Sequence, residues 1–188
     1  IDNCVDTPEG TTVDENGCSE LQVLQNLIIG DVYQGGLVFY LFQEEDPGYV
    51  AGEIHGLIAA PKDNIGSNNA LWGCNGTEVS GADGTALGTG VQNTLDMLAG
   101  CSEVSGARIA AKFCNEFELE GYDDWFLPSK DELNLLYLNK VGDMGFTYIY
   151  WSSTESNSDR AWRQNMLDGS QQTSNKGYDY RVVPVRTF

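Results

Sequence analysis

The longest apolar run in this sequence, Leu37 to Phe42, is only long enough to make one strand. A helix that crosses a bilayer needs about 20 consecutive apolar residues, and no segment approaches that. Glycine interrupts the chain throughout: 22 glycines against 5 prolines imply many tight turns between short elements, which is not the pattern of a helical bundle. Hydrophobic residues make up 41% and aromatics 11%, with Trp72, Trp125, Trp151 and Trp162 supplying bulk for a core within one domain of ordinary size. The expected class is therefore α+β, with short helices packed on small antiparallel sheets and joined by long loops.

Ten Lys and Arg against 28 Asp and Glu leave a formal charge of −18. Such a field repels phosphate backbones and anionic lipid heads, which sets aside nucleic acid and membrane insertion as modes of partnership. The excess favours solubility, and divalent cations would relieve it. The chain begins at Ile1 with no signal peptide, so it reads as a processed piece of something longer.

Five cysteines occur, at Cys4, Cys18, Cys74, Cys101 and Cys114, none in a C-x-x-C, and the only histidine is His55. Zinc would find too few soft ligands at usable spacing. Cys4 and Cys18 bracket a polar, turn-rich loop that cannot fold by burial, and a disulfide would supply what the core cannot. Cys114 lies in Ala107–Glu118, where Ile109, Ala110, Phe113, Cys114 and Phe117 share one helical face, so a buried thiol is expected there. Cys74 and Cys101 remain as the second pair, with Cys101–Cys114 as the alternative. Structural disulfides place the chain in an oxidising, extracellular setting.

Residues 1–20 read as a disulfide-stapled appendage and 21–188 as the main domain. In the latter, Leu37–Phe42 and Tyr49–Ala60 read as antiparallel strands, with His55 in a structural hydrogen bond. Asn64 to Gly90 reads as a long loop that Leu71-Trp72 plugs into the core. Val91, Leu95 and Leu98 mark a short helix ended by Gly100, and the Cys114 helix is expected to stop near Gly121. Ser129 and Glu132 form a capping box for a helix over Asp131–Asn139 that buries Leu133, Leu136 and Tyr137. From Tyr148 the period becomes two, giving strands Tyr148–Ser153, Ala161–Leu167 and Arg181–Thr187, with a hairpin signal at Asp168-Gly169. The segments between them, Ser156–Arg160 and Ser170–Tyr180, read as exposed loops.

Several blocks occur in order: Gly121-Tyr-Asp-Asp-Trp-Phe-Leu-Pro-Ser-Lys-Asp-Glu-Leu133, Tyr150-Trp-Ser-Ser-Thr-Glu155, Ala161-Trp162 and Arg181-Val-Val-Pro-Val-Arg186. Together they resemble the family that forms the C-terminal domain of the Legionella collagen-like adhesin, over roughly Ile29 to Phe188. That resemblance implies a branch of the C-type-lectin-like fold, related to formylglycine-generating enzymes and to the variable proteins of diversity-generating retroelements. It implies a bacterial binding module, extracellular or on the cell surface, whose partner is a glycan or a surface protein of another cell. The Glu-Pro-Asn, Gln-Pro-Asp and Trp-Asn-Asp motifs of calcium-dependent lectins are absent, as are the late cysteines of the formylglycine enzymes. The first 20 residues resemble the end of a thrombospondin type 3-like repeat, which implies calcium at Asp6, Asp14 or Asn16. The plainer expectation is a linker with no cofactor.

The residue types at Ser156, Asn157, Ser158, Asp159, Arg160, Arg163, Asp168, Ser170, Thr173, Ser174, Asn175, Tyr178, Asp179 and Tyr180 fit the diversified positions of the retroelement proteins, each being reachable from an Asn codon by changing adenines. With Asn165 they make up the expected ligand-binding set. Tyr and Arg supply contact energy there and the small residues supply adaptability. On the strand Ala161–Leu167, alternation turns Arg163, Asn165 and Leu167 away from Trp162, Gln164 and Met166, and Trp162 is assigned to the core. No nucleophile–base pair or phosphate-cradling motif is present, and the adjacent Asp123 and Asp124 point to opposite faces, so no catalysis is expected. The other reading is a structural tip or assembly domain of a surface fibre.

Overall fold

A computed structural model describes residues 4, 7, 11–14, 17–101, 108–139 and 147–188. Among the described residues nine strands form two sheets: β1 (Val32–Tyr33), β2 (Gly36–Leu41), β3 (Gly56–Ala59), β4 (Asn69–Leu71), β5 (Ile149–Asn157), β6 (Arg160–Asn165), β7 (Gln171–Asn175), β8 (Asp179–Arg181) and β9 (Val185–Thr187). The first sheet runs β1-β2-β3-β9 and the second β4-β8-β5-β6-β7. All neighbours are antiparallel except β5 and β8, which run parallel where Tyr150 meets Arg181. The described residues also form short helices: α1 (Glu20–Gln25), α2 (Lys62–Ile65), α3 (Gly90–Gly100), α4 (Ala110–Asn115) and α5 (Lys130–Leu138). The chain is thus α+β with small sheets and long connections.

Both cysteine pairs close, Cys4 with Cys18 and Cys74 with Cys101, and Cys114 is a free thiol buried in α4. Burial pushes that thiol well above its usual range. Asp14 accepts a hydrogen bond from the Cys18 amide at 2.9 Å. The other two calcium candidates, Asp6 and Asn16, lie outside the described residues.

Four expected elements are corrected. The run Arg181–Thr187 is two strands in two sheets, because Pro184 has no N–H to continue a ladder; the crossing Val182–Pro184 is buried. Tyr49–Ala60 is a strand only from Gly56, since Val50–Glu53 turns with Gly52 at φ +84°. At Gly56 a Cβ would meet the Tyr40 carbonyl oxygen at 2.1 Å, so the hairpin requires glycine there. The Cys114 helix stops at Asn115, well before Gly121. Asn64–Gly90 is not one loop, because α2 and β4 interrupt it.

The loops expected at Ser156–Arg160 and Ser170–Tyr180 are also ordered ladder. β5 and β6 join through a tight turn at Ser158-Asp159, and β7 pairs along β6 from Arg160↔Asn175 to Gln164↔Gln171. The side chains of β7 are polar on both faces, so alternation left no mark in its sequence.

Capping boxes at Ser19/Gln22 and Ser129/Glu132 start α1 and α5. Glu132 is buried and accepts from the Gly88 and Ser129 amides at 2.8 and 2.7 Å, so its carboxylate fastens α5 to the turn ahead of α3. The core gathers Trp72, Trp125, Trp151, Tyr150 and Phe39. Trp162 is not among them. It is half-buried on the face where α5 begins, beside Lys130, whose ammonium lies 4.9 Å from the ring centroid.

Candidate ligand-binding site

β6 lies between β5 and β7, and the register sets Trp151, Arg163 and Gln172 side by side on one face. Trp151 is fully buried and forms the floor. The Tyr180 ring packs against it at 4.8 Å between centroids, and exposed Tyr178 meets Tyr180 edge-on at 6.2 Å. The Arg163 guanidinium sits 5.5 Å from the Tyr180 centroid and donates to Ser174 Oγ at 2.8 Å and to Gln172 Oε1 at 3.1 Å. Four expected site residues, Arg163, Ser174, Tyr178 and Tyr180, therefore form one cluster. Ser174 is buried within it, where its hydroxyl orients Arg163 and lies 3.3 Å from the Tyr180 hydroxyl.

A pocket of about 450 Å³ adjoins this cluster at the end of β6. Asn165, Asp179 and Tyr180 line it, together with Asn69, Tyr148 and Arg181, which the sequence had not singled out. Arg181 stacks on the Tyr148 ring at 3.5 Å, and Asn69 Nδ2 donates to Asp179 at 3.3 Å. Asp179 and Arg181 share a face of β8 by simple alternation, a signal that Asp179-Tyr-Arg181 carried. Asn69 reaches the site by pairing with Arg181 across a long stretch of chain, which no local pattern reveals.

Other expected contact residues lie elsewhere. Ser156, Asn157, Ser158 and Asp159 are at the opposite end of the strands, where Asn157 Oδ1 accepts from the Asp159 amide and the Gly76 amide donates to the Ser158 carbonyl. Asn175 Oδ1 similarly accepts from the Gly177 amide at 2.9 Å. Asp168 accepts from the Ser170 amide and hydroxyl, and these bonds hold its carboxyl below the usual range. Thr173 pairs with Trp162 on the other face of the sheet, and Arg160 donates to the Thr173 carbonyl at 3.1 Å.

The groups nearest to catalytic types are engaged in the framework. His55 contacts Glu53 at 2.9 Å and the Phe188 carbonyl at 3.2 Å. Asp124 pairs with Arg186, which also donates to Gln34 and stacks on Tyr122 at 4.0 Å. Among the described residues no three His, Cys, Asp or Glu side chains gather as a metal site would require.

The sequence profile of the Lcl C-terminal domain matches residues 72–186, well over half of the chain. The chain belongs to the Lcl C-terminal domain family. The match covers β5 to β8, and so the Arg–Tyr cluster and the pocket lining of this Lcl C-terminal domain apart from Asn69 on β4. It starts later than the expected Ile29, leaving β1 to β4 outside it. No curated protein matches the chain. Among solved structures, a fimbrial protein from Bacteroides ovatus is similar at 16% identity with a TM-score of 0.52, over 80% of this chain and 43% of that one. The likeness is one of fold, and the chain spans less than half of that structure's length.

Proposed function

We propose that this Lcl C-terminal domain is a non-catalytic, extracellular or cell-surface ligand-binding module of adhesin type, recognising a glycan or a protein of another cell through the Arg163–Tyr178–Tyr180 face and the adjoining pocket. The observation that carries this reading is a packed, partly exposed Arg–Tyr cluster laid on Trp151 beside a concave pocket with polar and apolar lining. Aromatic and guanidinium groups supply most contact energy in protein interfaces, and preordering them lowers the entropy cost of binding. The two disulfides support an oxidising location. The structural engagement of His55 and Asp124 supports a binder over an enzyme.

A glycan array and a pull-down of cell-surface proteins test the reading. Tyr178→Ala and Arg163→Ala should weaken capture, whereas changes in the loop between β4 and α3 should not. If the loop variants lose binding and the face variants keep it, recognition lies elsewhere. The fold likeness to a fimbrial protein favours a second reading, a tip or assembly domain of a fibre; self-association in size-exclusion chromatography that Tyr178→Ala abolishes would select it. Whether the face is diversified is read from the neighbouring genome, where a reverse transcriptase gene and a near-copy differing at adenines would be the signature.

A further inference from the structure

In a chain with 28 acidic residues, a basic side chain without a carboxylate partner stands out. Lys112, Lys130, Lys176 and Arg186 each have one. Arg160, Arg163 and Arg181, three of the five arginines, sit on β6 and β8 of one sheet, and among the described residues none of them forms an ion pair. Arg160 and Arg163 spend donors on Thr173, Ser174 and Gln172. Arg181 lies over the Tyr148 ring, interacts with the Tyr150 hydroxyl and lines the pocket. A guanidinium held on a ring, with no carboxylate in ion-pair contact among the described residues, matches a planar two-oxygen anion better than any neutral group.

The remaining lining describes what carries that anion. Asp179 only accepts hydrogen bonds, while the amides of Asn69 and Asn165 both donate and accept, a set that hydroxyl groups satisfy. Asp179 and the overall charge of −18 also oppose any ligand dense in negative charge. A peptide adding as a strand to β4, the edge beside the pocket, is opposed because the Leu71 amide already donates to the Arg108 carbonyl at 3.2 Å. We infer that the pocket takes a terminal monosaccharide bearing a single carboxylate, with Arg181 gripping the carboxylate and Asp179, Asn69 and Asn165 reading the hydroxyls. This rests on the ligand-binding reading above and names its ligand class.

The test follows the Arg181 Nε–Hε resonance of the 188-residue chain during titration with methyl glucuronide, the methyl glycoside of N-acetylneuraminic acid, methyl glucoside and glucose 6-sulfate. At least one carboxylated sugar should shift it saturably and bind roughly tenfold or more tightly than methyl glucoside. Arg181→Lys, which keeps charge but loses the fork, and Asn165→Ala should each weaken that binding while the melting temperature holds. Equal binding of methyl glucoside, stronger binding of glucose 6-sulfate, or an Arg181 signal unmoved by both carboxylated sugars overturns the assignment. If Arg181 stays unmoved while Tyr178→Ala still abolishes capture on the array, only the ligand class fails. If neither array nor pull-down yields any capture, the ligand-binding reading fails with it.

Discussion

Lys176 is completely buried, and its ammonium is held by the Glu155 carboxylate, by the Thr77 carbonyl at 2.8 Å and by the face of Trp72 at 4.7 Å. Glu155 in turn accepts from the Val79 amide at 2.9 Å. This one pair joins β5, the turn after β7 and the loop between β4 and α3.

Breaking the pair from one side strands a buried charge. Lys176→Met or Glu155→Gln alone should cost about 3–5 kcal/mol in urea unfolding, whereas the double replacement should recover much of that loss. Single variants as stable as the parent would show that the pair carries no such role.

Trp151 and Trp162 should separate under mutation. Trp151→Ala opens a core cavity and should cost about 3–5 kcal/mol. Trp162→Ala removes a half-buried ring and its contact with Lys130, a loss of about 1 kcal/mol. Thermal unfolding compares them directly, and equal losses would return Trp162 to the core.

Within the face, Tyr178 and Tyr180 differ. Tyr178→Ala should weaken ligand capture by about 1–3 kcal/mol with little change in melting temperature. Tyr180→Ala should lower both, since its ring rests on Trp151 and faces Arg163. A binding assay run beside calorimetry distinguishes the two outcomes.

Glu132 gives a pH dependence of defined sign. Burial raises its carboxyl above the usual 4.5, against the opposing pull of hydrogen bonds from Ser129, Gly88 and Gly90. Its folded-state value therefore exceeds the unfolded one. The associated stability is fully present below pH 4.5 and is lost as the pH rises through the folded value. A carbon-13 titration of the Glu132 carboxyl should place the midpoint above 4.5, and a midpoint at or below it would contradict the burial argument.

The sequence made legible whatever local chemistry encodes. Ser129-x-x-Glu132 announced α5, Asp168-Gly169 announced a turn in which Gly169 has φ +77°, and the polar loop between Cys4 and Cys18 announced its bridge. The opposed faces of β6 were equally readable, with Gln164 and Met166 buried and Leu167 exposed. Long-range pairing was not. Lys176 looked like one more polar loop residue because Glu155, Thr77 and Trp72 come from distant segments. In α3 the apolar residues Val91 and Leu95 face outward, and Asn93 and Thr94 are buried through bonds to Gly84, Ser153 and Leu127. The pocket was half visible for the same reason: Asn165, Asp179 and Tyr180 belong to the patterned C-terminal strands, while Asn69 enters through a register that only the folded chain defines.

The partnership of β3 with β9 also sets an order of events during synthesis. Ile58 lies opposite Arg186, so a ribosome must add almost 130 further residues after Ile58 before that strand gains its second neighbour. Until then one edge of β3 stays open, and the nascent domain depends on the β2 side alone to keep Leu57 and Ile58 from engaging another chain.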